Sequence, residues 1–207
     1  MNAPLEVARQ GRKVAQVLEG ARTVFMRDGF EGASVDEIAR EAGVSKATLY
    51  SYFPDKRLLF MEVAKMECAR QSDAAMNRIR LSGPPEEVLF DAASRMTRFF
   101  ISRFGRQVFR MCVAESDRFP DLGREFYASG PLMVHDVLVT YLSDAVARGQ
   151  LAIDDIHLAA DQFPELCKAS IHMPLVLGLK TEFTDAEIDR VIRGAVDTFM
   201  ARYGARA

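Results

Sequence analysis

The sequence predicts an all-α fold of nine or ten helices, in which a small N-terminal three-helix helix-turn-helix domain is joined by a linking helix to a larger helical body. Three observations carry that expectation. Apolar residues recur at helical spacing almost from end to end, sustained two-residue alternation is missing, and Gly, Pro and capping residues cut the pattern into short lengths. With 207 residues, 49% hydrophobic and 27% charged, the chain has the composition of one or two packed domains, not of a disordered or low-complexity polypeptide.

The elements follow in order. Val14, Val17, Leu18, Ala21, Val24 and Phe25 form the stripe of a first helix, which Asp28-Gly29-Phe30 stops. Ser34-Val35-Asp36-Glu37 reads as a capping box, opening a short second helix that ends at Gly43. Ser45 is the candidate N-cap of a third helix, and Pro54-Asp55 separates it from a fourth that starts near Lys56. This predicts domains at 1–55 and 56–207. Ser82-Gly83-Pro84-Pro85 is the strongest break in the chain. Beyond it, Leu89, Ala92, Met96, Phe99 and Phe100 mark one helix, and Val134, Leu138, Tyr141, Leu142 and Ala145 another. Val137 to Tyr141 is ambiguous with a strand, but the longer helical period around it governs. Further breaks fall at Phe119-Pro120-Asp121, Ser129-Gly130-Pro131, Arg148-Gly149-Gln150 and Leu179 to Phe183. A second capping box, Thr184-Asp185-Ala186-Glu187, opens the last helix, whose stripe is Ile188, Val191, Ile192, Ala195, Phe199 and Tyr203. Two long helices are thus expected at the end, about Asp154–Leu179 and Thr184–Tyr203, with Pro174 kinking or breaking the first.

Several function classes are excluded on the same residues. No apolar run approaches the roughly 18–20 residues of a membrane span, and MNAPLEVARQGRK lacks the apolar core of a signal peptide. Cys68, Cys112 and Cys167 are odd in number, far apart and set in apolar stretches, so free buried thiols are expected. A cytoplasmic protein with no membrane partner is the expectation. His135, His157 and His172 are far apart in sequence, and His135-Asp136 makes a poor pair because adjacent helical residues point about 100° apart. Cys167 and His172 have no group to orient them. Neither GxGxxG nor GxxxxGK[ST] occurs. No catalytic site, cofactor or metal site is expected. Net charge is −2, and residues 1–60 carry nine Lys and Arg against eight Asp and Glu, a bias too small to argue for nucleic acid by itself.

Ser34 to Phe53, SVDEIAREAGVSKATLYSYF, is the informative segment. Val35, Ile38, Ala39 and Ala42 share a face, Gly43 can take a left-handed turn, and Val44 then packs inward. Ala47, Leu49 and Phe53 are available for packing, while Lys46, Thr48, Tyr50, Ser51 and Tyr52 include the outward positions. A reading helix has this form: the first helix crosses the DNA backbone and the second enters the major groove N-terminus first. Helix–Gly–helix hairpins that merely pack have it too, and the residues alone leave both readings open.

Ala15 to Ala64 resembles the N-terminal domain of the TetR/AcrR family of bacterial transcriptional regulators. The match is carried by Ala21, Phe25, Gly29-Phe30, Ser34-Val35, Ile38-Ala39, Ala42-Gly43-Val44-Ser45, Thr48-Leu49-Tyr50, Tyr52-Phe53 and Lys56, with AGVSKATLYSYFPDK its most specific run. Ala114-Glu115-Ser116, Arg118-Phe119-Pro120 and Phe126-Tyr127 are more weakly similar to the body of the AcrR- and AefR-like branch. The resemblance implies double-stranded operator DNA as a partner, with phosphate contacts at Ser34 or Val35, Tyr50 and Lys56. It implies base-edge contacts at Lys46, Ala47, Thr48, Ser51 and Tyr52, and Ser45, the candidate cap of the reading helix, is a candidate DNA-binding residue with them. Ala33 and Asp36 depart from the family pattern, where many members have threonine and some a cation.

The resemblance also implies a repressor that binds a palindromic operator as a homodimer and is released by a small, largely apolar effector. Residues 96–133 are rich in Met and Phe, and Met96, Phe100, Phe104, Met111, Phe126 and Met133 are the candidate pocket residues; plain core packing accounts for them as simply. Arg110, Glu115 and Arg118 are candidate polar ends of such a pocket. Ile171, Leu175, Ile192 and Phe199, on the last two long helices, are the candidate dimer contacts. The alternative is a helical dimeric ligand- or protein-binding module without operator recognition.

Overall fold

The computed structural model describes residues 3–76, 83–117 and 119–205. The described residues are helical throughout, with one isolated bridge between Leu151 and Gly204 and no strand. The helices are α1 (Ala3–Gly32), α2 (Val35–Glu41), α3 (Lys46–Tyr52), α4 (Lys56–Met76), α5 (Pro85–Ile101), α6 (Arg103–Glu115), α7 (Pro120–Ser129), α8 (Pro131–Ala147), α9 (Ile156–Leu166), α10 (His172–Val176) and α11 (Asp185–Tyr203). Val137 to Tyr141 lies inside α8. By packing, the chain divides into two units, Met1–Arg70 with Gln107–Phe126, and Gln71–Arg106 with Tyr127–Ala207.

In the first unit, α1 supplies Val17, Ala21, Val24 and Phe25 to a core completed by Ile38, Ala39 and Ala42, by Leu49 and Phe53, and by Leu59, Phe60 and Val63. Phe60 is its aromatic centre, with Phe25 edge-on at 4.9 Å and Phe30 at 5.3 Å between ring centroids. Gly29 breaks the helical conformation of α1 at φ 76°, where the sequence places the stop. Arg22 of α1 holds the buried Glu67 of α4 through a 2.7 Å hydrogen bond. Arg57 pairs with Asp55 at 2.6 Å and with Glu115 of α6 at 3.0 Å. Glu115 is therefore ion-paired inside this unit. Arg118 lies outside the described residues.

One close approach has no counterpart in the sequence reading. A Cβ on Gly20 would stand 2.6–2.7 Å from the backbone nitrogen, Cα and Cβ of Ala42. Only glycine lets α1 pass the end of α2 at that distance. Gly20→Ala is expected to lower the stability of the protein by about 1–3 kcal/mol, the usual cost of overpacking a tight contact, and denaturant unfolding measures it directly.

The second unit is built around α11, which packs against α5 and α9, with α8 against α9. Its core includes Leu89 and Ala93, Leu138, Tyr141 and Leu142, Ala160 and Phe163, and Ile188, Ile192, Phe199 and Tyr203. Phe163 meets Phe199 at 5.1 Å, and Phe199 meets Tyr203 at 4.8 Å. The Tyr203 hydroxyl donates to Gln162 at 2.7 Å. Thr184 and Glu187 form a complete capping box at the start of α11. The Lys180 ammonium and the Thr184 backbone N–H bring the Glu187 carboxyl down to about 2.

Asp154–Leu179 is not one long helix. The chain leaves α9 at Cys167, turns through Ser170 at φ 62°, and re-enters helix for five residues in α10 before Gly178 at φ 72°. The break precedes Pro174, which sits in the first turn of α10, where a missing N–H costs nothing. The proline inside a helix is Pro164. Cys112 and Cys167 are buried, and burial pushes the Cys167 thiol up to about 12, an inert thiol. The Cys68 side chain lies outside the described residues.

Candidate nucleic-acid interface

The turn between α2 and α3 is built from local hydrogen bonds. Gly43 takes φ 64°, its N–H donates to the Arg40 carbonyl at 3.1 Å, and the Val44 N–H donates to Ala39 at 3.0 Å. This paired closure ends a helix at a left-handed glycine. Ser45 then caps α3, its Oγ accepting from the Thr48 N–H at 3.1 Å and lying 2.8 Å from the Thr48 hydroxyl. Ser34 caps α2 in the same way, accepting from the Glu37 N–H at 3.1 Å. The capping box expected there is not completed as it is at Thr184. The Glu37 carboxylate turns to Arg27 at 3.3 Å and Arg40 at 3.6 Å.

These caps present one face of α3. Leu49 and Phe53 point into the core, and Ser45, Lys46, Ala47, Tyr50 and Ser51 are exposed, with Tyr50 at 43%. Thr48 and Tyr52 are half-buried at its flanks, and Ser34 is exposed at the start of α2. The structure brings Lys46, Ala47, Thr48, Tyr50, Ser51 and Tyr52 together on one seven-residue helix, with Ser45 as its N-cap. The face offers hydroxyls and an ammonium, the donors that phosphates and base edges accept from.

Two charges have partners that the sequence reading missed. The Lys46 ammonium pairs with Asp36 of α2 at 3.0 Å, a hydrogen bond that raises it above the usual lysine range. Lys56 donates to the Phe30 carbonyl at 2.8 Å and the Ala33 carbonyl at 3.0 Å, and sits 4.4 Å from the Phe30 ring centroid. It ties the start of α4 to the chain leaving α1, as a C-terminal lysine cap does. A phosphate contact there would draw on its remaining N–H. No local signal announces either link, since the partners lie ten residues and more than twenty residues away.

The Asp36–Lys46 pair is solvent-exposed and worth about 0–1 kcal/mol. Asp36→Asn frees Lys46 and removes a carboxylate from the same face. It is expected to strengthen binding to duplex DNA by up to about 5-fold, the upper end of the factor that such an energy corresponds to, read by fluorescence anisotropy at constant salt.

The other predicted sites are placed differently. Ile171, Leu175, Ile192 and Phe199 are each 2% exposed or less in the single chain. Their side chains are spent in their own fold, so they cannot be the surface of a dimer contact. The apolar stripe of α11 is likewise buried within its own unit. Among the candidate pocket residues, Phe104 and Met111 are buried, and Met96, Phe100, Phe126 and Met133 half-buried. Met111 and Phe126 group with the first packing unit and the other four with the second. Arg110 is exposed. No helix among the described residues is long and apolar enough to cross a membrane.

An all-helical chain with a capped helix–glycine–helix unit near its N-terminus and a larger helical body belongs to the helix-turn-helix class of proteins. Residues 17–63 match the family described as bacterial regulatory proteins of the tetR family, and residues 87–205 match the C-terminal domain of AefR-like transcriptional repressors. The chain belongs to the TetR family, whose members are transcriptional regulators and not enzymes. It is 35% identical over 72 residues to the transcriptional repressor AcnR of Corynebacterium diphtheriae, a match that spans 35% of either chain. A TetR-family transcriptional regulator from Mesorhizobium loti has a similar structure, with a TM-score of 0.82 and 28% identity over 95% of this chain and 98% of that one. The Flavonoid-responsive Regulator FrrA is 36% identical, with a TM-score of 0.68 over 95% of this chain and 100% of that one.

Proposed function

We propose that this protein is a cytoplasmic repressor that binds a palindromic operator as a homodimer and releases it when a small, largely apolar effector binds its body. The exposed face of α3 carries the reading: Lys46, Tyr50 and Ser51 stand outward on a helix whose other side is locked into the core by Leu49 and Phe53. In that division, residues 1–55 read DNA and residues 56–207 bind the effector and the partner. A two-fold dimer reads two half-sites, so the separation of the two heads sets affinity. An effector needs only a differential affinity for the non-binding state, about 1–3 kcal/mol of coupling.

Apolar side chains left exposed on α9, on α10 and at the C-cap of α10, namely Leu158, Met173 and Leu177, are the proposed partner face. Met96, Phe100, Phe104 and Met133, which share the second unit, are kept as the proposed effector contacts, Met111 and Phe126 of the first unit are not carried into that set, and the name of FrrA makes flavonoids the first compounds to test. Selection of bound sequences from random duplex DNA tests the reading. An enriched palindrome, bound by two chains in sedimentation, supports it. A folded dimer that enriches nothing, and from which mass spectrometry of the denatured protein recovers no trapped effector, favours the alternative, a binding module without operator recognition.

A further inference from the structure

Two histidines that the sequence sets twenty-two residues apart meet between α8 and α9 in the second unit. Nδ1 of His157 lies 3.4 Å from Nε2 of His135, and the rings stack at 24° with centroids 5.3 Å apart. The other nitrogen of His135, Nδ1, is 3.1 Å from Oδ1 of Asp136. Adjacent positions on the helix do not prevent that contact, contrary to the expectation from their 100° separation. Asp161, one turn after His157 on α9, places Oδ1 4.0 Å from Nε2 of His135.

The proton arrangement follows from the carboxylate. An N–H on Nδ1 of His135 donates to Asp136 and leaves Nε2 with a bare lone pair that faces His157. Nitrogens bound to one tetrahedral zinc ion at about 2.0–2.1 Å stand roughly 3.3 Å apart, close to the separation found here. A carboxylate behind the non-ligating nitrogen is the usual outer support of a metal-binding histidine. Among the described residues no three such side chains are already arranged around a metal position. Asp161 is the candidate third ligand, and its 66% exposed side chain has room to turn the short distance required.

We propose that His135 and His157 bind a divalent transition-metal ion of the zinc class, with Asp161 rotating to join them, water completing the coordination and Asp136 orienting His135. Imidazole nitrogens with one carboxylate suit zinc, nickel or copper, not calcium or magnesium. The ion would clamp α9 to α8. This proposal is independent of how α3 reads DNA.

The test uses the full chain, free of any affinity tag and stripped of metal. Equilibrium dialysis against Zn2+ is expected to show one saturable site per chain, and Co2+ to give a visible absorption band that Zn2+ displaces. His135→Ala and His157→Ala should remove that site while circular dichroism stays unchanged, and Asp136→Asn should weaken it about 10- to 100-fold. His172→Ala, on α10, should leave it intact. Absence of saturable Zn2+ binding in the unmodified chain overturns the proposal and leaves a hydrogen-bonded histidine pair. Binding that survives in the folded His135→Ala/His157→Ala double variant overturns it as well.

Discussion

Phe60→Ala is expected to lower the stability of the protein by about 3–5 kcal/mol, a large part of the total for a domain of this size. Phe60 has no exposed surface and is the ring against which both Phe25 and Phe30 pack. Removing it opens a cavity where α1 and α4 meet, which neighbours on rigid helices can only partly fill. The loss should appear as a lower denaturant midpoint with an unchanged slope. DNA binding should fall with it, because α2 packs on α1 and α3 on α2. A loss below about 1 kcal/mol would mean that the aromatic cluster is not the centre of the first unit.

Tyr50→Ala should have the opposite signature. The side chain is 43% exposed on the outward face of α3, so its removal is expected to leave helicity, stability and dimerisation unchanged. Affinity for the selected operator should fall by about 1–3 kcal/mol, roughly 5- to 150-fold, the range for losing one direct contact. Anisotropy titration gives the affinity, and circular dichroism of the same sample gives the fold. Loss of helicity in parallel would make Tyr50 a packing residue and remove it from the reading face.

The comparison of sequence with structure separates what is local from what is not. Gly43, Ser45, Thr184 and the stop at Gly29 were legible because their hydrogen bonds close within five residues, so the spacing of residue types already encodes them. The outward face of α3 was legible for the same reason, since helical period fixes which positions oppose Leu49. Gly20 against Ala42, Lys56 on the carbonyls of Phe30 and Ala33, and Arg57 on Glu115 were not, because each joins elements whose approach is set by packing. The break after α9 was misplaced for a different reason. Pro174 is the visible helix breaker, yet the turn is made by Ser170, a residue type that rarely announces a left-handed backbone. The candidate dimer residues failed because strong apolar periodicity marks a buried face without saying whether the chain or its partner buries it.

Salt dependence of operator binding tests the central claim most directly. Charged contacts to phosphates release counterions, so the logarithm of the affinity should fall linearly with the logarithm of salt concentration, each contact adding about −0.9 to the slope. The unmodified protein is expected to show a steep slope on the selected duplex, and Lys46→Ala, which removes the ammonium of the first turn of α3, able to reach a phosphate as well as a base edge, a slope shallower by about one contact. An affinity that hardly changes with salt, or a slope that Lys46→Ala leaves untouched, would contradict the assignment of α3 as the helix that meets DNA.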